Sequence, residues 1–216
     1  LRMPAYKLFY FDLNGRGEPV RQLLKLAGQP FEDIRVTGEQ WPGLKTTTPI
    51  GTLPVLEVDG KKISTTTAIL RYIANTHGLN AKSEFDRAQL DTVAELVYDL
   101  CATEAFGNYC GAVLGHNPTI TTDDQRKTYF KEHVQPAIEK AAHQIEKFLL
   151  VNGNNGLFHG DTETWVDVLA SSMFALLQSF DPLCLEAYPH IKALIARVQA
   201  NPIIRAHIEQ RPARPL

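Results

Sequence analysis

A chain of 216 residues is longer than one ordinary domain and shorter than three, so one large or two small domains are expected. Its 22 Lys and Arg against 24 Asp and Glu leave a net charge of −2, which excludes a strongly basic nucleic-acid surface. With 44% hydrophobic and 21% charged residues the composition excludes disorder and collagen-like repetition, and no run of about 18 apolar residues offers a membrane span.

Residues 5–11 (AYKLFYF) alternate and are rich in aromatics, which predicts a strand. Gly15 and Gly17 mark a turn, and Glu18-Pro19 suit the first turn of a helix that Gly28 ends. Residues 31–36 alternate again, and 53–58 form a short apolar run. Asp59-Gly60 is a tight-hairpin signal with a return strand at 61–63, and helical spacing takes over from Thr65 to His77. The order is β-α-β, then β-β-α, a small mixed sheet covered by helices. Pro54 at the start of the third strand predicts an edge position or a cis bond.

Residues 79–86 are short and polar, a linker composition. Beyond them only helical spacing persists. Leu90, Val93, Val97 and Leu100 form one amphipathic seam, and Val134, Ile138, Ala141, Ile145 and Phe148 form another. Thr164 to Asp167 resembles a capping box ahead of an apolar helix to Phe180, and shorter helices fit 188–200 and 203–210. Gly107, Gly111, Gly115 and Pro118 predict a loosened end to the first long helix. Three widely spaced cysteines (Cys101, Cys110, Cys184) without a C-x-x-C predict reduced thiols, and seven histidines without ligand spacing predict no metal site. No charged segment followed by an apolar stretch opens the chain, so a cytoplasmic location is expected.

Several segments carry a resemblance: Met3 to Glu18 (MPAYKLFYFDLNGRGE), Trp41 to Lys45 (WPGLK), Gly51 to Gly60 (GTLPVLEVDG), Ala68 to Tyr72 (AILRY), Thr164 to Asp167 and the tail from Arg211. Their order and spacing resemble the cytosolic glutathione transferases, and within them the sigma class, which includes the hematopoietic prostaglandin D synthases. The resemblance implies an α/β plus all-α fold, with a thioredoxin-like glutathione-binding domain at 3–79, a linker at 80–86 and an all-helical domain at 87–216 that forms the electrophile pocket. It implies conjugation of glutathione, the co-substrate, to a small apolar electrophile, by a homodimer that uses no metal. Glutathione-dependent peroxidase or prostaglandin H2 isomerase activity would use the same chemistry. A non-catalytic carrier or crystallin-like relative is the alternative.

That chemistry needs a thiolate, and a free thiol with a pKa of about 8.5 supplies only a few per cent of it at pH 7. Lowering the pKa by ~2 units requires a differential stabilisation of roughly 2.7 kcal/mol. A neutral hydroxyl donating to sulfur does this because its hydrogen bond favours the charged form, and tyrosine keeps its proton at pH 7. The resemblance assigns that role to Tyr10, with Arg16 beside the thiolate. It assigns the glycyl carboxylate to Trp41 and Lys45, and the cysteinyl backbone to Leu53, presented by a cis Pro54. The γ-glutamyl group falls to Thr65 and Thr66 at a helix start, with Asp99 reaching its amine from the neighbouring subunit. Thr52 and Thr65 stand where the family carries longer side chains. Phe11, Arg16, Cys101, Phe106 and Leu216 are the electrophile-pocket residues by the same reading. Phe106 stands where the prostaglandin synthase has tryptophan. No cysteine occurs in 12–18, which argues against a thiol oxidoreductase on this fold.

Overall fold

The computed structural model describes residues 4–152, 155–214 and 216. They form two compact units, one within residues 4–80 with 200–214 and one within 81–152 and 155–199 with 216.

The first unit is built on β1 (Tyr6–Phe11). Tyr6, Leu8 and Tyr10 are buried while Lys7, Phe9 and Phe11 are half-buried, the alternation of a strand with one face fully covered. A 3₁₀ turn at Gly15–Gly17 leads into α1 (Glu18–Leu26), and Gly28 follows it at φ 63°, a left-handed angle that suits glycine. β2 (Phe31–Val36) runs parallel to β1, from Tyr6 opposite Phe31 to Phe11 opposite Val36. One helical turn that the hydrophobic pattern does not reveal, α2 (Trp41–Lys45), follows. β3 (Val55–Val58) and β4 (Lys61–Ser64) make the expected hairpin, and Asp59 and Gly60 both take positive φ. α3 (Thr66–His77) closes the set and ends at Gly78.

The sheet order is β2-β1-β3-β4, with β3 antiparallel to β1. β3 therefore lies inside the sheet. Of the two alternatives for Pro54 the edge position is excluded, and the Leu53–Pro54 bond is cis.

In the second unit α4 (Glu84–Ala102) starts within the segment expected as linker, because the Ser83 hydroxyl accepts the Asp86 N–H at 3.1 Å and caps the helix. Leu90, Val93, Val97 and Leu100 are buried as their spacing predicts. The helix breaks earlier than its glycines suggest. Thr103 takes an extended conformation, and its hydroxyl accepts the Phe106 N–H at 3.2 Å, opening α5 (Glu104–Val113) with Gly107 and Gly111 inside it. A side-chain cap, not glycine, sets the break. Next come α6 (Asp123–Tyr129), a π-helical turn at Phe130–Val134, and α7 (Gln135–Val151). Ile138, Ala141 and Ile145 of α7 are buried, with Leu149 rather than Phe148 completing the seam, and α7 packs on α4. α8 (Trp165–Phe180) also packs on α4, and α9 (Pro189–Ala200) follows.

The capping box is present. The Asp167 carboxylate, wholly buried, accepts the Thr164 N–H at 2.7 Å, the Thr164 hydroxyl at 2.6 Å and the Phe158 N–H at 2.9 Å. Burial pushes its pKa up to about 6 against the pull of those three donors.

α10 (Pro202–Gln210) belongs to the first unit, where it packs on α1. Among the described residues no helix is long and apolar enough to cross a membrane, and no group of three or more His, Cys, Asp or Glu is placed to hold a metal.

Candidate functional site

Tyr10 ends the covered face of β1, and the chain then turns back over its ring. The phenol oxygen accepts the backbone N–H of Arg16 at 3.0 Å. That bond leaves the phenol O–H able to donate elsewhere and polarises it toward a stronger donor. The turn can lie this close because its neighbours are glycines. A Cβ on Gly15, at φ 34°, would stand 2.8 Å from the Tyr10 hydroxyl, and one on Gly17 would stand 2.5 Å from the ring carbon Cδ1.

Buried charge fixes the same turn. Arg21 of α1 has no exposed side-chain surface; its Nε donates to the Asp33 carboxylate at 3.0 and 3.2 Å and its Nη1 to the Leu13 carbonyl at 2.9 Å. Its guanidinium carbon lies 5.7 Å from the centre of the Tyr10 ring. Arg35 donates to Asp33 at 2.7 Å and to the Leu13 carbonyl at 3.3 Å. The Thr66 hydroxyl donates to the Arg16 carbonyl at 3.2 Å, which ties the start of α3 to the turn.

Glu18 is the second buried charge, with 3% of its side chain exposed. Its Oε1 accepts His207 Nε2 at 3.0 Å, Gln22 Nε2 at 3.3 Å and Arg211 Nη1, and Arg21 Nη1 lies 3.5 Å from Oε2. Burial alone would raise the Glu18 pKa, but the His207 hydrogen bond and the Arg211 and His207 charges bring it down to about 2 from 4.5. A depressed carboxylate stabilises the fold above its unfolded pKa, and that contribution is lost as pH falls through the folded one. The difference in unfolding free energy between wild type and Glu18→Gln is therefore expected to shrink as pH falls from about 4.5 to about 2. Urea unfolding of both proteins across that range checks it, and a constant difference would contradict it.

The first unit carries Tyr10, Phe11, Arg16, Trp41, Lys45, Thr52, Leu53, Pro54, Thr65 and Thr66. Trp41 and Lys45 begin and end α2, where i and i+4 share a face. The Trp41 ring meets Phe11 edge-on at 5.5 Å, and Phe11 meets Tyr10 at 5.9 Å. Phe11 thus links Tyr10 to Trp41. Lys45 and Thr52 are exposed, Leu53 is half-buried and Pro54 buried. Thr65 has φ 72° and ψ 139°, outside the usual regions for a β-branched residue, and makes no side-chain cap bond. Strain of about 1–3 kcal/mol at such a position is held by the surrounding structure and is a mark of binding sites.

The second unit carries Asp99, Cys101, Phe106 and Leu216. Cys101, Phe106 and Leu216 are buried, and Asp99 is exposed on α4. Asp99 lines a groove of about 180 Å³ with Leu96, Leu100, Thr103, Ala137 and Lys140. The sequence assigns no role to Asp12, Arg21, Asp33, Arg35, His207, Arg211 and Arg214, although Asp12, Arg211 and Arg214 fall in segments that carry the resemblance. Arg35 meets Asp33 two residues away and Arg21 meets Glu18 three away, but the bonds that tie this set to the turn from His207, Arg211 and Arg214 cross most of the chain. Glu18 was legible only as an acid at a helix start.

Two family models match: Glutathione S-transferase, N-terminal domain, over residues 6–75, and Glutathione S-transferase, C-terminal domain, over 116–211. The chain is 45% identical to Probable glutathione S-transferase gst-36 of Caenorhabditis elegans, over 99% of this chain and 100% of that one. Among solved structures, NaGST-2 superposes with a TM-score of 0.90 at 34% identity, over 99% of this chain and all of that one. Na-GST-3 of the hookworm Necator americanus, titled monomeric, gives 0.84 at 32% over 97% and 98% of the two chains. A structure titled prostaglandin synthase D of Nilaparvata lugens gives 0.81 at 31%, over 98% and 100%. The chain belongs to the glutathione S-transferase family.

Proposed function

We propose that this glutathione S-transferase is a sigma-like, homodimeric, cytoplasmic enzyme of detoxification that ionises glutathione with Tyr10 and delivers the thiolate to small apolar electrophiles. The observation that carries the reading is the Arg16 N–H bonded at 3.0 Å to the phenol oxygen of Tyr10, in a turn whose glycines let it lie against the ring. The phenol donates its hydrogen to the glutathione sulfur, and the fixed N–H strengthens that donation. Arg16 adds positive charge near the sulfur.

Trp41 and Lys45, on one face of α2, suit the glycyl carboxylate by indole N–H and ammonium. Leu53 offers its backbone to the cysteinyl unit as an added strand would. The Thr66 hydroxyl already donates to the Arg16 carbonyl, so the γ-glutamyl carboxylate falls mainly to the free N–H groups at the start of α3. Asp99, exposed beside an apolar groove, suits a surface that a second copy covers and from which it reaches the γ-glutamyl amine. Phe106, Cys101 and Leu216 on the helical unit, and Phe11 and Arg16 on the sheet unit, are the residues offered to the electrophile. Reduction of a peroxide and isomerisation of prostaglandin H2 call on the same thiolate, and the Nilaparvata lugens neighbour supports including the second among the substrates tested.

The test is retention on immobilised glutathione together with a panel of a chlorinated nitrobenzene, an organic hydroperoxide and prostaglandin H2. Retention with turnover of at least the aryl halide supports the reading. Binding of an apolar dye without retention or turnover would replace it with a carrier. Sedimentation at assay concentration checks the dimer, and a monomer that retains full glutathione affinity would remove the role given to Asp99.

A further inference from the structure

We infer that His207 and Arg211, at the C-terminal end of α10 and just beyond it, are positioning residues for the reaction, acting through Glu18 on the turn that holds Tyr10 and Arg16. The inference rests on the role proposed for Tyr10. Three residues spaced by four and three, His207, Arg211 and Arg214, reach the segment 12–18. His207 and Arg211 bond Glu18, and Arg214 pairs with Asp12 at 2.8 Å, which also lies 3.5 Å from Arg35. The C-terminal segment is thus strapped to both ends of the turn, some 190 residues from it in the chain.

Glu18 transmits the strap's position directly. Its own N–H bonds the Asn14 carbonyl at 2.8 Å, and it follows Arg16 by two residues. A shift of the Glu18 side chain toward other partners moves the start of α1, and with it the Arg16 N–H that bonds the Tyr10 oxygen. Charge acts in the same direction. With His207 and Arg211 in place the buried carboxylate is compensated; without them Arg21 is its one remaining cation among the described residues, and Arg21 is shared with Asp33. An undercompensated negative charge this close to the turn opposes ionisation of the thiol that Tyr10 serves.

The experiment titrates bound glutathione by its thiolate absorbance, with the pH profile of kcat/KM, in wild type, Arg211→Gln, Arg211→Lys, the double variant His207→Gln/Arg211→Gln and Tyr10→Phe. Urea unfolding establishes that each is folded, and Arg211→Gln alone keeps the His207 bond should the double variant not fold. The double variant is expected to raise the apparent thiol pKa by about half a unit to one unit, and Arg211→Gln by a smaller step in the same direction, with KM for glutathione changed less than about twofold. Arg211→Lys is expected to recover most of the shift by restoring the charge. Variants that lose stability while the thiol pKa stays at the wild-type value, when Tyr10→Phe moves it, would show a purely structural strap and overturn the inference alone. A thiol pKa that Tyr10→Phe also leaves in place would overturn the reading of Tyr10, and the strap with it.

Discussion

Tyr10→Phe is expected to lower kcat/KM for conjugation of an aryl halide by about threefold at pH 7, with the gap closing by about pH 8. The phenylalanine fills the same buried site at the end of β1, where Tyr10 is 8% exposed, so the fold is retained. What disappears is the O–H that would donate to sulfur. A rise of ~2 units in the thiol pKa leaves roughly 25-fold less thiolate at neutral pH. The more basic thiolate is intrinsically more nucleophilic, by about six- to tenfold for a Brønsted slope of ~0.4–0.5, which brings the net effect at pH 7 to about threefold. Above the pKa of the free thiol, about 8.5, glutathione ionises unaided and the hydroxyl no longer matters. An equal rate at pH 7, or a deficit that persists unchanged at high pH, would remove Tyr10 from the ionisation step.

The larger effect is expected from Gly17→Ala. The added methyl would lie 2.5 Å from Cδ1 and 2.6 Å from Cγ of Tyr10. These atoms are near the root of a buried ring, so the ring cannot simply rotate its tip away. Either the ring or the turn must shift, at a cost of about 1–3 kcal/mol in stability for an overpacked site. Both shifts break the alignment of Arg16 N–H with the phenol oxygen, so activity is expected to fall further than in Tyr10→Phe. Gly107→Ala serves as the comparison. Its Cβ would meet nothing within 4 Å, and it lies inside α5, where alanine is preferred to glycine by roughly 0.5–1 kcal/mol. Urea unfolding and the conjugation assay on both variants check the pair. An active, fully stable Gly17→Ala would mean that the turn is not packed on Tyr10 as described.

The two buried acids near helix starts respond to pH in opposite senses. Glu18, held near 2 by a histidine and an arginine, stabilises the fold above pH 4.5. Asp167, raised to about 6 by complete burial, carries the reverse sign: relative to an ordinary carboxyl of 3.8, stability is lost as pH rises through that interval. Both carboxylates are hydrogen-bonded. What separates them is that Glu18 faces cations and Asp167 faces neutral donors.

Much of the architecture was legible in the residues. The alternation of Tyr6, Leu8 and Tyr10, the hairpin at Asp59-Gly60 and the seam from Leu90 to Leu100 depend on near neighbours, and near neighbours are what a pattern records. The Thr164 to Asp167 box was legible for the same reason. The break at Thr103 was displaced to the glycines because glycine is a strong marker of loosening, while a single hydroxyl that caps one helix leaves a fainter trace. α2 went unread because five residues are too few to show a period.

The sequence by itself therefore determined most of the elements, the division into a mixed sheet unit and a helical unit, and the residue types offered for a thiol-activating site. Only the tertiary structure decided how Tyr10 is held, that Thr66 is engaged by the Arg16 carbonyl, and that α10 belongs with the sheet. Those features rest on bonds between residues far apart in the chain, such as Glu18 with His207 and Arg211. Local spacing carries no trace of such pairs, because the partner of a buried charge is set by which elements the fold brings together.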